Sequence, residues 1–360
     1  MSTALLYSST TLGSIPLQNR MVMCPMTRNR ALGNVPNELM AEYYGQRASA
    51  GLIITEGTAV SPNSVGYPRI PGIYTPEQVR AWRASVDAAH RGGAKIFLQL
   101  MHTGRISHAN NLPQGEKIVA PSALAAKESM YTDSAGPQPL PVPEAMSPAD
   151  IKAAIQQHVQ AARNALEAGF DGVELHGANG YLIEQFLRPT SNQRTDEYGG
   201  DIGGRSRFLL ELIEAVERAV GKQRLGVRLS PFGVFNDMPL YEQMESDYTR
   251  VSELLGQANA TAYVHLVDHT SMGAPAVPQS IKQTFRKNFR GTLILSGGYD
   301  AQSAERDLAA GAGDLIGFGR PFLANPDLPT RFRSGATLNA PDFATFYMPG
   351  EKGYTDYPTL

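Results

Sequence analysis

Short apolar runs recur along the chain, and a segment with helical periodicity follows most of them. Each run is four to seven residues long and nearly continuous, a pattern typical of parallel strands buried on both faces. The runs lie at residues 21–25, 52–56, 94–100, 172–176, 225–230, 263–268, 293–296 and 315–319. Eight such strands alternating with helices predict a (β/α)8 TIM barrel of the α/β class, with a doubly wound sheet as the weaker alternative.

One of the predicted helices has both of its ends marked in the sequence. Ser147 can cap the first turn, Pro148 occupies the first helical position, and Asp150 follows in the same turn. An apolar stripe at helical spacing comes next, and Gly169 ends the pattern. Similar patterns predict helices at residues 75–90, 205–220, 242–256 and 301–310.

Two segments fall outside the alternation of strands and helices. Residues 1–19 carry two apolar patches around Gly13, which predict a hairpin across the bottom of the barrel. Residues 102–146 form a long excursion rich in Pro and Gly, and loops of that length are usually lids or binding loops. We therefore expect residues 1–360 to form one barrel domain, with residues 102–146 as its cap.

Composition excludes several classes of function. The net charge is −2, so charge gives no reason to expect nucleic acid or an anionic membrane as a partner. The single cysteine, Cys24, excludes a disulfide framework and a thiolate-rich metal site. No apolar run approaches the ~20 residues of a spanning helix, and residues 1–11 lack a signal pattern. The expectation is a soluble, cytoplasmic protein, a monomer or a weak homo-oligomer, that acts on small molecules.

Several side chains are predicted to point into the barrel. In the fifth run the apolar neighbours of Arg228 must face the helices, so Arg228 faces inward. An interior guanidinium needs an anionic or carbonyl partner, either Glu174, which also points inward, or a bound ligand. In the third run Gln99 and Met101 point toward the barrel mouth. The Gln99 amide could contact a planar heterocycle or be a satisfied core group.

The fourth run ends in three polar residues that could carry chemistry. His176, Asn179 and Tyr181 lie together where the strand turns upward, at the end of a barrel strand where active sites occur. The two neutral donors, His and Asn, could hold a developing oxyanion, and the phenol could deliver a proton. A lone histidine here could instead be structural, but three such groups within six residues favour a site. The set contains only one good metal ligand, so no metal site is expected.

Glycine-rich turns end the last two runs, at Gly297 and Gly298 and at Gly319 followed by Arg320. Barrels often bind phosphate at these two loops, where glycine lets the backbone come close to the anion. Arginine is a natural bidentate partner for phosphate. These turns therefore predict a phosphorylated cofactor or substrate.

Long, irregular strings along nearly the whole chain carry a family resemblance. They read NR at residues 19–20, CPMTR at 24–28, QLMHTGR at 99–105, GVELHGANGY at 172–181, LRPTSNQR at 187–194, DEYGG at 196–200, GRPFLANP at 319–326 and GYTDYP at 353–358. In these strings the chain resembles the old yellow enzyme family of flavin-dependent ene-reductases, in its N-ethylmaleimide reductase-like and xenobiotic reductase-like branch.

The resemblance implies a barrel with noncovalent FMN, reduced by NADPH or NADH, that reduces activated alkenes such as enones and maleimides, and also nitro compounds or nitrate esters. It implies that Thr27 hydrogen-bonds the flavin O4 and tunes its potential, and that Arg228 lies against the N1–O2 edge. The other residues around the flavin ring would be Pro25, Met26, Gly57 and Gln99. The residues at the ribityl phosphate would be Gly297, Gly298, Gly319 and Arg320.

The resemblance also assigns the substrate side of the site. His176 and Asn179 would hold the carbonyl or nitro oxygen while hydride comes from flavin N5, and Tyr181 would donate the proton to the α carbon. Tyr67 and Tyr347 would line the substrate pocket.

The chain departs from the family pattern at three positions. Many relatives have a second histidine where this chain has Asn179, and because an amide also donates, function should survive. Many have tryptophan where this chain has Met101, which predicts a different pocket shape. Thr27 fills the flavin-tuning position that is cysteine in the redox-sensing branch, and Cys24 is predicted to be a packed core residue.

Two other classes of function could use a barrel of this kind. A flavin-free aldolase or isomerase could use the same phosphate loops, but it usually needs a Schiff-base lysine or a paired acid and base. The only strand lysine, Lys95, lies near a strand start and so far from the mouth. A non-catalytic binding protein would leave Tyr181 and the oxyanion pair unexplained.

Overall fold

Eight parallel strands close into a barrel in the computed structural model, which describes residues 4–360. In chain order they are β1 (Met21–Met23), β2 (Leu52–Ile54), β3 (Lys95–Met101), β4 (Gly172–Gly177), β5 (Leu225–Leu229), β6 (Tyr263–Val267), β7 (Thr292–Ser296) and β8 (Leu315–Phe318). Each strand pairs in parallel with its sequence neighbours, and the pairing of β8 with β1 closes the ring. This confirms the predicted TIM barrel, and the closure excludes the doubly wound sheet, which has open edges.

Helices surround the barrel and follow its strands. Within residues 4–360 the α-helices are Glu38–Gln46, Pro76–Arg91, Pro148–Ala168, Leu182–Leu187, Ile202–Val220, Met244–Ala258, Gln279–Asn288, Ala301–Ala309, Arg320–Ala324 and Leu328–Ser334. The five helices predicted from the sequence all form, with ends within three residues of the predicted bounds. Ser147 caps its helix as predicted, because its side chain accepts from the Asp150 N–H, and Gly169 ends that helix in the left-handed conformation. None of the helices within residues 4–360 is long and apolar enough to cross a membrane.

A hairpin covers the amino-terminal end of the barrel. Its strands, Thr10–Leu12 and Ile15–Leu17, pair antiparallel, which confirms the predicted hairpin, although residues 1–3 lie outside the described part of the chain. The buried side chains of Leu12 and Leu17 pack against the inward-facing side chains of the strands, among them Phe97, Tyr263 and Leu315. The lower half of the barrel interior is therefore apolar, and the inward polar residues are left for the carboxyl end.

The excursion between β3 and β4 contains short strands of its own. Val119–Ala120 pairs in parallel with Glu144–Ala145, and Ser129–Thr132 forms an antiparallel hairpin with Gly136–Pro139. Buried side chains of this segment, including Met130 and Leu140, share a cluster with Met101 at the end of β3 and with Tyr181 after β4. The excursion thus packs over the carboxyl ends of these two strands.

Candidate active site

A cavity of about 750 Å³ lies at the carboxyl end of the barrel. Most of the site residues predicted from the sequence line this cavity. They are Pro25, Met26, Thr27, Tyr67, Gln99, His176, Asn179, Tyr181, Arg228, Gly297, Gly298, Gly319, Arg320 and Tyr347. These residues come from seven of the eight barrel strands or the loops after them, and they converge on one space.

Gly57 and Met101 are the two predicted site residues that the cavity wall does not include. A Cβ atom on Gly57 would lie 2.5 Å from the Met101 sulfur, so these two residues pack against each other. Met101 is buried, because the short strand Thr58–Ala59 pairs with the end of β3 and the excursion covers it. The role of Met101 as a substrate-pocket residue therefore stays a prediction, and in this structure its side chain packs in the cluster that also contains Tyr181.

Arg228 faces the cavity and does not form the ion pair with Glu174 that was one of the two predicted alternatives. Both Glu174 oxygens are occupied elsewhere, by Gln99 Nε2 at 2.8 Å and by His265 Nδ1 at 2.9 Å. Within residues 4–360 Arg228 Nε has no hydrogen-bond partner, although the residue is only 5% exposed. A buried, unpartnered guanidinium group is costly, so this geometry favours the other interpretation, an acceptor supplied by a ligand.

Gln99 is placed both to contact a ligand and to act as a satisfied core amide. It lines the cavity, and its amide nitrogen also belongs to the buried Gln99–Glu174–His265 chain, which continues through His265 Nε2 to the Ser296 hydroxyl at 2.8 Å. This polar layer lies above the apolar lower interior.

His176 and Tyr181 lie side by side after β4, with ring centroids 4.9 Å apart in an edge-to-face arrangement. Burial, and next the charge of Arg228, hold the pKa of His176 well below its ordinary value, so its ring is neutral. Arg228 is the direct register partner of His176 across the β4–β5 pair, which explains the second effect. Burial raises the pKa of Tyr181 to about 12, so the phenol keeps its proton at neutral pH. The pair thus offers a neutral hydrogen-bond donor beside a protonated acid.

Asn179 is held in the left-handed conformation, with φ of 61°, which asparagine tolerates better than most residues. Its N–H donates to the Ser230 hydroxyl at 2.9 Å, and its carbonyl accepts from Asn236 Nδ2 at 2.6 Å. Its side-chain oxygen lies 2.7 Å from Nε2 of His269.

His269 is a cavity residue that sequence reasoning missed. It follows β6 by two residues, so the rule that located His176, a polar residue just past a strand's carboxyl end, could have found it. Sequence alone does not show that it meets Asn179, which is 90 residues away.

The glycine turns after β7 and β8 form the other end of the cavity. Gly297 and Gly298 have φ of 115° and 70°, and a Cβ on Gly297 would lie 1.8 Å from the Asp268 carbonyl oxygen. Arg320 stacks on Phe343 at 5.1 Å and forms none of the ion pairs found within residues 4–360. A free guanidinium group beside close-approaching backbone fits a phosphate group.

Buried arginines hold the C-terminal segment over the cavity. Arg28, directly after the Pro25–Thr27 loop, donates to the Phe346 carbonyl at 3.1 Å and to the Gly353 carbonyl at 2.6 Å. Arg30 donates to the Phe346 carbonyl at 2.6 Å. These bonds keep Phe346 and Tyr347 at the mouth, where both line the cavity.

Lys95 and Cys24 are the two residues that would serve other chemistries. Lys95 is not among the residues that line the cavity, whereas Cys24 lines it. Lys95 forms an ion pair with Asp171 at 3.2 Å, at the amino end of β3, which disfavours a Schiff-base enzyme. Cys24 is buried, and burial raises the pKa of its thiol to about 12, so it stays protonated. This agrees with its predicted role as a packed residue.

The sequence profile of the NADH:flavin oxidoreductase / NADH oxidase family matches residues 6–339. The chain belongs to this family. The match confirms the predicted old yellow enzyme family of flavin-dependent ene-reductases, whose members use FMN with a nicotinamide reductant.

Similar proteins agree with this assignment. 12-Oxophytodienoate reductase 1 of Oryza sativa subsp. japonica is 44% identical over 97% of this chain and 91% of its own length. A "probable flavin mononucleotide-dependent alkene reductase" of Leishmania infantum is 42% identical over 97% of this chain and 95% of its own. Among solved structures, morphinone reductase superposes with a TM-score of 0.95 at 43% identity, covering 100% of this chain and 97% of that one.

The cavity fits the flavin of an old yellow enzyme on its own features. An unpartnered guanidinium group, Arg228, faces the middle of the cavity, and a second, Arg320, stands at its glycine-lined end. These are the positions where a heterocycle with carbonyl edges and a terminal phosphate need partners.

Proposed function

We propose that this protein uses NAD(P)H-reduced FMN to reduce electron-poor double bonds in small molecules, with Tyr181 as the proton donor. The observation that carries the proposal is the convergence of His176, Asn179 and Tyr181 on the same cavity as Arg228 and the glycine turns. One end of the cavity offers anion contacts, and the other offers two neutral donors beside an acid.

The flavin is assigned to the side of the cavity that β1, β3, β5, β7 and β8 supply. Pro25, Met26, Thr27, Gln99 and Arg228 would surround its ring system. Gly297, Gly298, Gly319 and Arg320 would hold its phosphate. When bound, FMN supplies a hydride from N5 to the β carbon of the activated alkene.

His176 and Asn179 hold the oxygen of the activating group. Hydride addition at the β carbon moves negative charge onto a carbonyl or nitro oxygen, and donors already in place stabilise that charge without reorganisation. Because the His176 pKa is depressed, the ring donates as a neutral group and adds no second cation beside Arg228.

Tyr181 delivers the proton to the α carbon. Its hydroxyl group donates to the Tyr67 hydroxyl at 3.0 Å, which fixes the orientation of the phenol. The pKa of about 12 keeps the proton on Tyr181 until charge develops on the substrate.

The proposed substrates are enones and maleimides, with nitro compounds and nitrate esters as a second class. All of these present acceptor oxygens to a pair of donors. The aromatic walls formed by Tyr67, Phe235, Phe346 and Tyr347 suit flat, apolar molecules. The name of the Leishmania relative supports alkenes as the substrate class.

The test of the oxygen-binding role is His176→Ala, with His108→Ala as a control because His108 lies in the excursion outside the cavity lining. Loss of one oxyanion donor should slow enone reduction on the order of a hundredfold and weaken the binding of phenols. The control should match the parent in both assays. Equal rates for His176→Ala and the parent would refute the role.

A further inference from the structure

His269 is buried beside Asn179 and is itself firmly placed. It is 7% exposed, and its ring lies edge-on to Phe235, with centroids 4.7 Å apart. Its carbonyl accepts from the Met272 N–H at 2.8 Å and from the Ala274 N–H at 3.2 Å, which fixes the turn that carries it. The ring therefore presents Nε2 to Asn179 from a constrained position.

The backbone of Asn179 is constrained as well, so its side chain retains one main choice. The bonds to Ser230 and Asn236 hold its N–H and carbonyl, and φ of 61° sets the direction of its side chain. A terminal amide has two orientations that differ by exchange of its oxygen and nitrogen. One presents NH2 to the cavity, and the other presents the carbonyl oxygen.

The neighbouring ring decides between these orientations. Burial lowers the pKa of His269 to about 3, so the ring is neutral and carries a single N–H. With that hydrogen on Nε2, the ring donates to Asn179 Oδ1 across 2.7 Å, and the NH2 group is left for a ligand. With the hydrogen on Nδ1, Nε2 would accept from the amide, and the amide oxygen would repel a substrate oxygen.

We propose that His269 is a positioning residue that locks the Asn179 amide as a hydrogen-bond donor toward the substrate oxygen. This inference rests on the proposed function, in which Asn179 binds that oxygen. The fixed orientation of the amide makes the site selective for ligands that present a carbonyl or anionic oxygen. An amide free to turn would accommodate donors and acceptors alike.

The test uses the FMN-loaded protein and equilibrium titration with 4-nitrophenolate, an anionic ligand that needs no turnover. Asn179→Ala establishes whether the amide binds the oxygen. His269→Ala should raise the dissociation constant roughly three- to tenfold, the range for one net hydrogen bond. His269→Gln, whose amide can still donate, should stay within about twofold of the parent.

The double variant separates positioning from packing. If His269 acts through Asn179, adding His269→Ala to Asn179→Ala should change the dissociation constant little further. Additive effects, or an unchanged constant in His269→Ala, would overturn the positioning role. An unchanged constant in Asn179→Ala alone would instead overturn the oxygen-binding role on which it rests.

A measurement on the parent protein keeps the inference testable even if the alanine variants fold poorly. Nitrogen-15 NMR of labelled histidine distinguishes the two neutral tautomers. The proposal requires the hydrogen of His269 on Nε2, and a hydrogen on Nδ1 would contradict it. The His269→Gln protein supplies the assignment, because it lacks only that ring.

Discussion

Replacing Tyr181 with phenylalanine removes the proposed acid and almost nothing else. The ring packs edge-on to His176 at 4.9 Å and to Tyr67 at 6.1 Å, and phenylalanine keeps both contacts. The hydroxyl group makes one hydrogen bond, to the Tyr67 hydroxyl. Its loss should therefore reduce the free energy of unfolding by only about 1 kcal/mol.

The effect on chemistry should be much larger than the effect on stability. A positioned general acid typically contributes ~10²–10⁴-fold, which corresponds to about 3–5 kcal/mol of barrier. Reduction of the bound flavin by NADPH requires no proton at the substrate α carbon. We therefore expect this half-reaction to stay within a few-fold of the parent, while reoxidation by cyclohexenone slows by that factor.

Anaerobic stopped-flow absorbance separates the two half-reactions. Tyr67→Phe is the comparison variant, because it removes the same hydrogen bond but leaves the Tyr181 proton in place, and so separates loss of the phenol's orientation from loss of the acid. A quinone acceptor should be affected far less than cyclohexenone, since its product can take a proton from water. Equal slowing of both half-reactions in Tyr181→Phe would show that the residue shapes the pocket, and no slowing would show that the proton comes from elsewhere.

Three further substitutions test the cofactor site and the buried charges. Arg320→Ala should weaken FMN retention through loss of a phosphate contact, measured by fluorescence of released FMN, whereas Arg290→Ala, at the far end of the barrel, should not. Arg228→Met removes a buried guanidinium nitrogen that has no partner. It should therefore raise the free energy of unfolding of the flavin-free protein by about 1–3 kcal/mol, although it should weaken FMN binding. A flavin-free variant less stable than the parent would contradict this. Burial lowers the pKa of His158 to about 4, so the stability that its neutral ring contributes is present above pH 6.5 and is lost as the pH falls toward 4. Between pH 6.5 and pH 4 the free energy of unfolding of His158→Leu should therefore rise relative to that of the parent by up to roughly 3 kcal/mol, as measured by urea unfolding. An equal difference between the two proteins at both pH values would refute this.

The barrel could be predicted because its strands are buried on both faces and because residues that cap or terminate helices mark the ends of its main helices. Ser147 and Gly169 mark one helix completely, and the structure shows the expected cap and left-handed end. The helix Gln279–Asn288 was not predicted, because no side chain caps it and only Ile281 and Phe285 are buried in it. Its position depends on packing against the neighbouring helix, Met244–Ala258.

The candidate site could be located because alternation along a strand fixes which side chains face inward. Alternation predicts correctly that Arg228 and Gln99 face the cavity, but it does not decide between Glu174 and a ligand as the partner of Arg228. The choice depends on His265, which joins the chain from β6 and occupies a Glu174 oxygen. The burial of Met101 could not be predicted for a related reason, since the segments that bury it come from elsewhere in the chain.

The most direct test of the account is a single turnover in the absence of oxygen. The purified protein, loaded with FMN, is reduced by one equivalent of NADPH and then mixed with cyclohexenone. We expect the absorbance of oxidised flavin to return and one equivalent of cyclohexanone to form. A protein that fails to retain FMN, or a reduced flavin that stays reduced with no saturated ketone formed, would contradict it.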